Sequence, residues 1–174
     1  MTLFKTALVA AFLPVMALAA GSDSTSAPQP PQCTDGKVWD TQSQSCVTPK
    51  DARLDDDERM RAIRAYAYDG QLDVASAILD AMADPQADMV LTYRGFVARK
   101  AGRMDDAARW YDAALVQNPD NHLARSYRAQ GWVETGRVDE ARAELTQIRV
   151  RGGRGTWAEV SLRLTLDRGR GYSY

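Results

Sequence analysis

The sequence contains few of the residues on which catalytic and metal sites depend. There is one histidine, His122, and there are two cysteines, Cys33 and Cys46, in 174 residues. Two cysteines with no histidine nearby cannot complete a tetrahedral zinc site. The chain also lacks the Gly-x-Ser-x-Gly, His-Glu-x-x-His and phosphate-loop motifs. We therefore predict that the protein is not an enzyme and that it has neither a metal nor a cofactor.

Strong net charge and long apolar segments are lacking as well. The formal net charge is −1, so the chain has no overall basic field with which to hold nucleic acid. After the first 20 residues, no apolar run is long enough to cross a bilayer. We expect no nucleic-acid partner and no stable membrane insertion of the mature chain.

Residues 1–20 have the pattern of a secretory signal peptide. Lys5 precedes an apolar run over residues 7–18, and small residues follow it, which predicts cleavage near Ala19 or Ala20. An uncleaved anchor is the alternative, but the run falls short of the roughly 18 apolar residues that a membrane span needs. The predicted location is the bacterial periplasm or the exterior.

Two small regions follow the signal peptide. Residues 21–32 are rich in serine, proline and glutamine, and they are predicted to form a flexible linker. Residues 33–54 are predicted to form a disulfide-closed loop and a connector, because an oxidising compartment would join Cys33 to Cys46. Closing so short a loop stabilises it by about 3 kcal/mol in the chain-entropy model. Trp39 lies inside this loop, where it either covers the loop or stacks on a sugar ring.

The second half of the chain contains an internal repeat. The segment at 100–107, Lys-Ala-Gly-Arg-Met-Asp-Asp-Ala, recurs at 134–141 as Glu-Thr-Gly-Arg-Val-Asp-Glu-Ala, which is 34 positions later. A third copy at 68–75 lies 32 positions before the first of these. A fixed period of this length is typical of stacked helical hairpins, none of which can bury its apolar face alone.

Periodicity and capping signals divide residues 55–168 into helices. Asp55 and Glu58 form a capping box for the first helix, and Thr156 and Glu159 form one for the last. Apolar residues in the last helix alternate with period two, which alone would indicate a strand. We favour a helix there, since the capping box precedes it and a stack needs an end cap. The predicted helices cover approximately 56–69, 72–83, 87–100, 104–116, 122–135, 138–149 and 157–167, and residues 169–174 are predicted to be a tail.

These residues resemble the tetratricopeptide repeat (TPR). In that family small residues occupy repeat positions 8 and 20, glycine 15, an aromatic 24, alanine 27 and proline 32. Counted from Asp88, the second unit has at these places Gly95, Ala107, Gly102, Tyr111, Ala114 and Pro119. The units beginning near Asp56 and at His122 match less fully. The whole layout also resembles uncharacterised secreted TPR proteins of alphaproteobacteria.

The resemblance implies an all-α fold, a right-handed α-solenoid of three helical hairpins with a C-terminal capping helix. It also implies that a protein or peptide of the cell envelope binds in the concave groove. Lysine and asparagine are absent from the positions with which the family captures a C-terminal carboxylate, so that activity is not implied. The groove positions carry over to Arg64, Tyr68, Thr92, Phe96, Arg99 and Gln130.

Two alternatives stay open. Phe96 and Tyr68 either contact a partner or pack between neighbouring repeats. Instead of a peptide-binding adaptor, the protein could be an envelope polysaccharide-binding protein that uses Trp39 and the loop between Cys33 and Cys46. Exposed ends of a three-repeat stack are also compatible with self-association.

Overall fold

The computed structural model describes residues 31–170 of the chain. The predicted signal peptide, residues 21–30 of the predicted linker and residues 171–174 of the predicted tail lie outside the described residues. The described part is mainly helical, as predicted, with one small hairpin of strands β1 (Val38–Asp40) and β2 (Ser45–Val47). Its helices are α1 (Asp56–Tyr68), α2 (Leu72–Leu79), α3 (Asp88–Lys100), α4 (Met104–Gln117), α5 (His122–Glu134), α6 (Val138–Val150) and α7 (Trp157–Arg168).

The predicted disulfide is confirmed, and it closes the β-hairpin. Cys33 and Cys46 are bonded, and the strands pair antiparallel with Trp39 opposite Cys46. Successive side chains of a strand point to opposite faces. Val38 and Asp40 are accordingly fully buried, whereas Trp39 between them is only half-buried.

Two side chains of α1 fasten the hairpin to the helical part. The Tyr66 hydroxyl lies 2.8 Å from the carbonyl oxygen of Cys33 and 3.0 Å from that of Lys37. The Glu58 carboxylate accepts hydrogen bonds from the backbone N–H (2.9 Å) and the hydroxyl (2.5 Å) of Thr41. It also accepts one from the backbone N–H of Asp55, which completes the predicted capping box. One carboxylate therefore both starts α1 and holds the hairpin.

Consecutive helices pack against each other as pairs, α1 with α2, α3 with α4, and α5 with α6, and α7 packs on α5. An equivalent glycine lies between the helices of each pair. These glycines are Gly70, Gly102 and Gly136, and each has a φ value of about +80°. Such a value suits glycine far better than any residue with a side chain. A continuous core extends from the hairpin to α5, and a smaller one joins α5, α6 and α7.

Helix α7 shows why its apolar pattern resembled a strand. Its buried face consists of Ala158, Ser161, Leu162 and Thr165, which have helical spacing. Small polar residues occupy part of that face because their hydroxyls bond within the structure: Thr165 donates to the carbonyl of Ser161, at 2.9 Å. Of the alternating apolar residues only Leu162 is fully buried, and Val160, Leu164 and Leu166 are partly buried, so the preference for a helix is confirmed.

Helix α2 ends at Leu79, whereas the predicted end was near Ala83. Arg94 of α3 explains the early end. Its guanidinium donates to the carbonyl oxygen of Leu79 at 3.3 Å and pairs with the carboxylate of Asp80 at 2.9 Å. The backbone then turns away, and the N–H of Ala83 donates to the carboxylate of Asp56. Side chains from other helices thus satisfy the groups that a longer α2 would have paired internally.

Gly95 allows α3 and α4 to approach closely. A Cβ atom at this position would lie 2.5 Å from Cε1 of Tyr111, which is fully buried. We predict that Gly95→Ala destabilises the protein by about 1–3 kcal/mol, because the ring has no room to move. Gly131→Ala is the comparison on α5: its Cβ would lie 3.2 Å from Cδ of Arg99, so the neighbour must shift by only a few tenths of an ångström. Urea unfolding followed by circular dichroism measures both, and equal free energies of unfolding for the two variants would contradict the assignment.

The docking of the hairpin should depend on pH. The hydroxyl of Thr41 donates to Glu58 and holds the pKa of that carboxyl below its ordinary value of 4.5. The carboxylate therefore adds stability above the unfolded-state pKa, and that contribution is lost as pH falls through the lower folded-state pKa. We expect the free energy of unfolding to fall more between about pH 6 and about pH 3 in the parent than in Glu58→Gln, which cannot titrate. Identical pH dependence in both proteins would contradict this role.

Candidate functional site

An open groove of about 830 Å³ crosses one side of the molecule. The first helix of each pair contributes to its surface, as does α7. The groove surface is largely aromatic and apolar, with a cation at one end. Its principal lining residues are Arg64, Tyr68, Met89, Tyr93, Leu123 and Trp157.

An aromatic cluster supports the floor of this groove: Tyr68 and Tyr93 line it, and Phe96 and Tyr127 are buried and pack against them. The ring centroids of Tyr68 and Phe96 are 5.3 Å apart at nearly a right angle, and those of Phe96 and Tyr127 are 4.9 Å apart. The hydroxyls of Tyr68 and Tyr127 are hydrogen-bonded at 2.5 Å. Burial raises the pKa of the Tyr93 hydroxyl, so this ring stays neutral at any physiological pH. Edge-to-face packing fixes the rings, which makes the floor a preformed surface.

Arg64 and Trp157 mark two sides of the groove. The Arg64 guanidinium lies 5.8 Å from the centroid of the Tyr93 ring, and the side chain is exposed. Trp157, the first residue of α7, is 42% exposed. The groove also contains one carboxylate, that of Asp88, which accepts hydrogen bonds from the side-chain amides of Asn118 (2.7 Å) and Asn121 (2.9 Å). Of the charged groups here, the guanidinium is the one without hydrogen bonds to the described residues.

Only two of the six predicted groove residues line this surface, namely Arg64 and Tyr68. The other four, Thr92, Phe96, Arg99 and Gln130, are at most 3% exposed. The prediction placed them on the groove because of their repeat positions, but α5 covers the three residues of α3, and Gln130 of α5 is buried with hydrogen bonds to α3 and α7. Phe96 packs against Tyr127, and Thr92 is hydrogen-bonded to Asn121 at 3.0 Å. For Phe96, packing between neighbouring helices is therefore the correct alternative.

Arg99 is the centre of a buried polar network between α3 and α5. Its guanidinium donates to the carboxylate of Glu134 at 2.6 Å and to the side-chain oxygen of Gln130 at 3.2 Å. The guanidinium also lies 5.6 Å from the ring centroid of Phe96. Gln130 continues the network to the hydroxyl of Ser161, at 3.3 Å, on α7. This arginine holds three helices together and is not available to an anionic ligand.

Sequence reasoning missed Trp157 as a groove residue. The residue follows the capping Thr156 directly, so the local sequence pattern indicates where α7 starts but not what the Trp157 side chain contacts. A tryptophan in the first turn of an end-capping helix, next to the glycine-rich segment 152–155, was the available signal. Tryptophan is enriched among the residues that dominate binding energy at interfaces, so a partly exposed tryptophan beside a groove is a candidate contact residue.

A second, smaller cleft of about 320 Å³ lies between the β-hairpin and α1. The half-buried Trp39 forms part of its wall, and residues along one side of α1 form the opposite part. The sequence pointed to Trp39 as a candidate but not to the cations near it. The residues that give the cleft its chemical character are Lys37, Trp39, Arg61, Arg64, Asp69 and Gln71.

Within residues 31–170, no three His, Cys, Asp or Glu side chains are grouped so as to hold a metal ion. Nor, over the same range, is any helix long and apolar enough to cross a membrane. The single histidine, His122, lies at the edge of the groove, with Nε2 3.0 Å from the carbonyl oxygen of Arg151. No family model matches the chain, and no curated protein is significantly similar to it in sequence.

We predict that Glu134→Ala destabilises the protein by at least about 2 kcal/mol, because the buried Arg99 would lose the one carboxylate with which it pairs within residues 31–170. Asp139→Ala is the matched control. It breaks the exposed pair with Arg142, in which both side chains are more than half exposed, and it should cost less than about 1 kcal/mol. Thermal and urea unfolding measure the two changes, and equal losses would contradict a structural role for the buried pair.

Proposed function

We propose that the protein is a non-catalytic binding protein of the cell envelope that captures an extended peptide segment of another protein in the groove. In this proposal α1–α6 are three TPR-like hairpins of a right-handed solenoid, and α7 is its cap. The pairwise packing of the helices, the equivalent glycines between them and the Gly95–Tyr111 contact all support it.

One observation carries the proposal, namely the open groove that runs along the first helices of the pairs. It offers a fixed aromatic floor together with the partly exposed Trp157. Rigid aromatic surfaces in grooves are the usual anchor sites for peptides, because they give a large contact area at a small cost in conformational entropy. A shallow, open groove suits an extended segment better than a small enclosed metabolite.

The groove also favours a particular peptide chemistry. Arg64 forms no ion pair with a carboxylate among residues 31–170, and Asp88 already accepts two amide hydrogen bonds. A peptide with a large apolar side chain and a nearby carboxylate would pack on Trp157 and Tyr68 and pair with Arg64. The proposed partner is therefore a protein segment that combines aromatic or aliphatic residues with acidic ones.

The periplasm or the exterior is the proposed location. The disulfide between Cys33 and Cys46 persists in oxidising compartments and is rarely stable in the cytosol. The signal-peptide pattern in residues 1–20 points to the same compartment.

Selection from a random peptide library, followed by calorimetry with the selected synthetic peptides, tests the proposal. We expect the selected peptides to contain apolar and acidic residues. Trp157→Ala should weaken their binding at least about tenfold, since truncating a tryptophan anchor costs well over 1 kcal/mol.

Trp110→Ala is the matched control. This tryptophan is 36% exposed, lies on α4 outside the groove and is covered by the guanidinium of Arg94. Its truncation should leave peptide affinity unchanged. Failure of the library to yield a binding peptide, or equal affinity of Trp157→Ala and the parent protein, would remove the groove as a binding site.

A further inference from the structure

The cleft between the β-hairpin and α1 contains cations that the rest of the protein does not neutralise. Most arginines within residues 31–170 form an ion pair with a carboxylate. Arg61 and Arg64, which line the cleft, do not. Lys37 lines it as well, and its ammonium group has no ion pair with the described residues. Cations gathered in this way point to an anionic ligand.

The carboxylates of the cleft already accept hydrogen bonds from other groups of the protein. Glu58 accepts hydrogen bonds from Thr41 and Asp55, which lie on the hairpin side and at the start of α1. Asp69 accepts one hydrogen bond, at 2.6 Å, from the side-chain amide of Gln71. It keeps further lone pairs with which to accept hydrogen bonds from hydroxyl groups. The cleft therefore offers cations for a carboxylate and acceptors for hydroxyls.

The cleft also has an apolar part. Trp39 is half-buried and lines the cleft together with Ala62 and Ala65 of α1. The disulfide through Cys33 and Cys46 and the hydrogen bonds of Tyr66 hold the strand that carries Trp39 in place. An indole face that is fixed at the edge of a cleft suits the C–H face of a pyranose ring.

We infer that this cleft binds an acidic saccharide, with a hexuronate ring packed on Trp39 and its carboxylate paired with Arg61. Gln71 and Asp69 take the ring hydroxyls. The volume of about 320 Å³ lies at the lower end of the range for small-ligand sites, so it holds one or two sugar rings of a longer chain. This site is separate from the peptide groove, although Arg64 lines both.

Titration calorimetry of the full protein with trigalacturonate tests the inference. We expect binding that weakens as salt concentration rises, because an exposed charge pair is screened. The neutral trisaccharide maltotriose should bind at least about tenfold more weakly, and so should inorganic sulfate, which carries charge but has no ring to pack on Trp39. Sulfate that binds as well as trigalacturonate would overturn the saccharide assignment and leave a simple anion site.

Two substitutions test whether the ligand binds in the cleft. Arg61→Gln should weaken trigalacturonate binding at least about tenfold, and the side chain is exposed, so the fold is not at risk. Arg154→Gln is the matched control: it removes the same charge from an exposed residue outside the cleft. Equal effects of the two changes would mean binding by overall charge and would overturn the site.

Trp39→Phe keeps a smaller aromatic ring in the cleft and therefore tests stacking. It should reduce the affinity for trigalacturonate less than Trp39→Ala does. Trp157→Ala should leave saccharide binding unchanged, which separates this inference from the proposed peptide groove. Absence of binding in the parent protein, or full retention of affinity in both Trp39 variants, would overturn the inference whatever the result with peptides.

Discussion

The guanidinium of Arg99 is buried in the interface between α3 and α5. The shape of the groove depends on the hydrogen bonds and the ion pair that this charged group makes there. Glu134 and Gln130 of α5 supply its hydrogen bonds, so α5 must lie directly against α3. Burying a guanidinium is costly unless it is paired, which makes any other spacing of the two helices unfavourable. The same approach places Phe96 under Tyr127 and covers Thr92. The aromatic floor is thus a consequence of a charge that has to be neutralised inside the protein.

Much of the fold could be predicted because local signals and the repeat period agree. The capping residues Asp55 and Thr156 locate the starts of α1 and α7, and the recurring glycines locate the boundaries between paired helices. Together they predict most helix ends found in residues 31–170. The end of α2 could not be predicted, since it depends on Arg94 of a different helix. A helix end of this kind is determined by contacts with an element distant in sequence. The apolar periodicity within the helix itself gives no indication of such contacts.

The candidate site was less predictable for the same reason. Repeat positions tell which side of a helix faces its neighbours, but they do not tell how closely the next helix covers that side. Arg64 and Tyr68 lie on α1 and remain on the groove. Phe96 and Arg99 have comparable positions on α3, and α5 buries them. Whether a groove residue is open thus depends on how closely a helix distant in sequence packs over it.

Arg64 lies where the groove and the hairpin cleft meet, since it lines both. The proposed peptide carboxylate pairs with Arg64 and the proposed sugar carboxylate pairs with Arg61 on the same helix, so two like charges would lie near each other. If both proposed ligands bind, each therefore reduces the electrostatic contribution available to the other, and the coupling must be equal in both directions. The β-hairpin, held to α1 by Glu58 and Tyr66, sets the distance between the two sites. A small disulfide-closed element would in this way give a mainly helical protein a second binding surface that responds to the first.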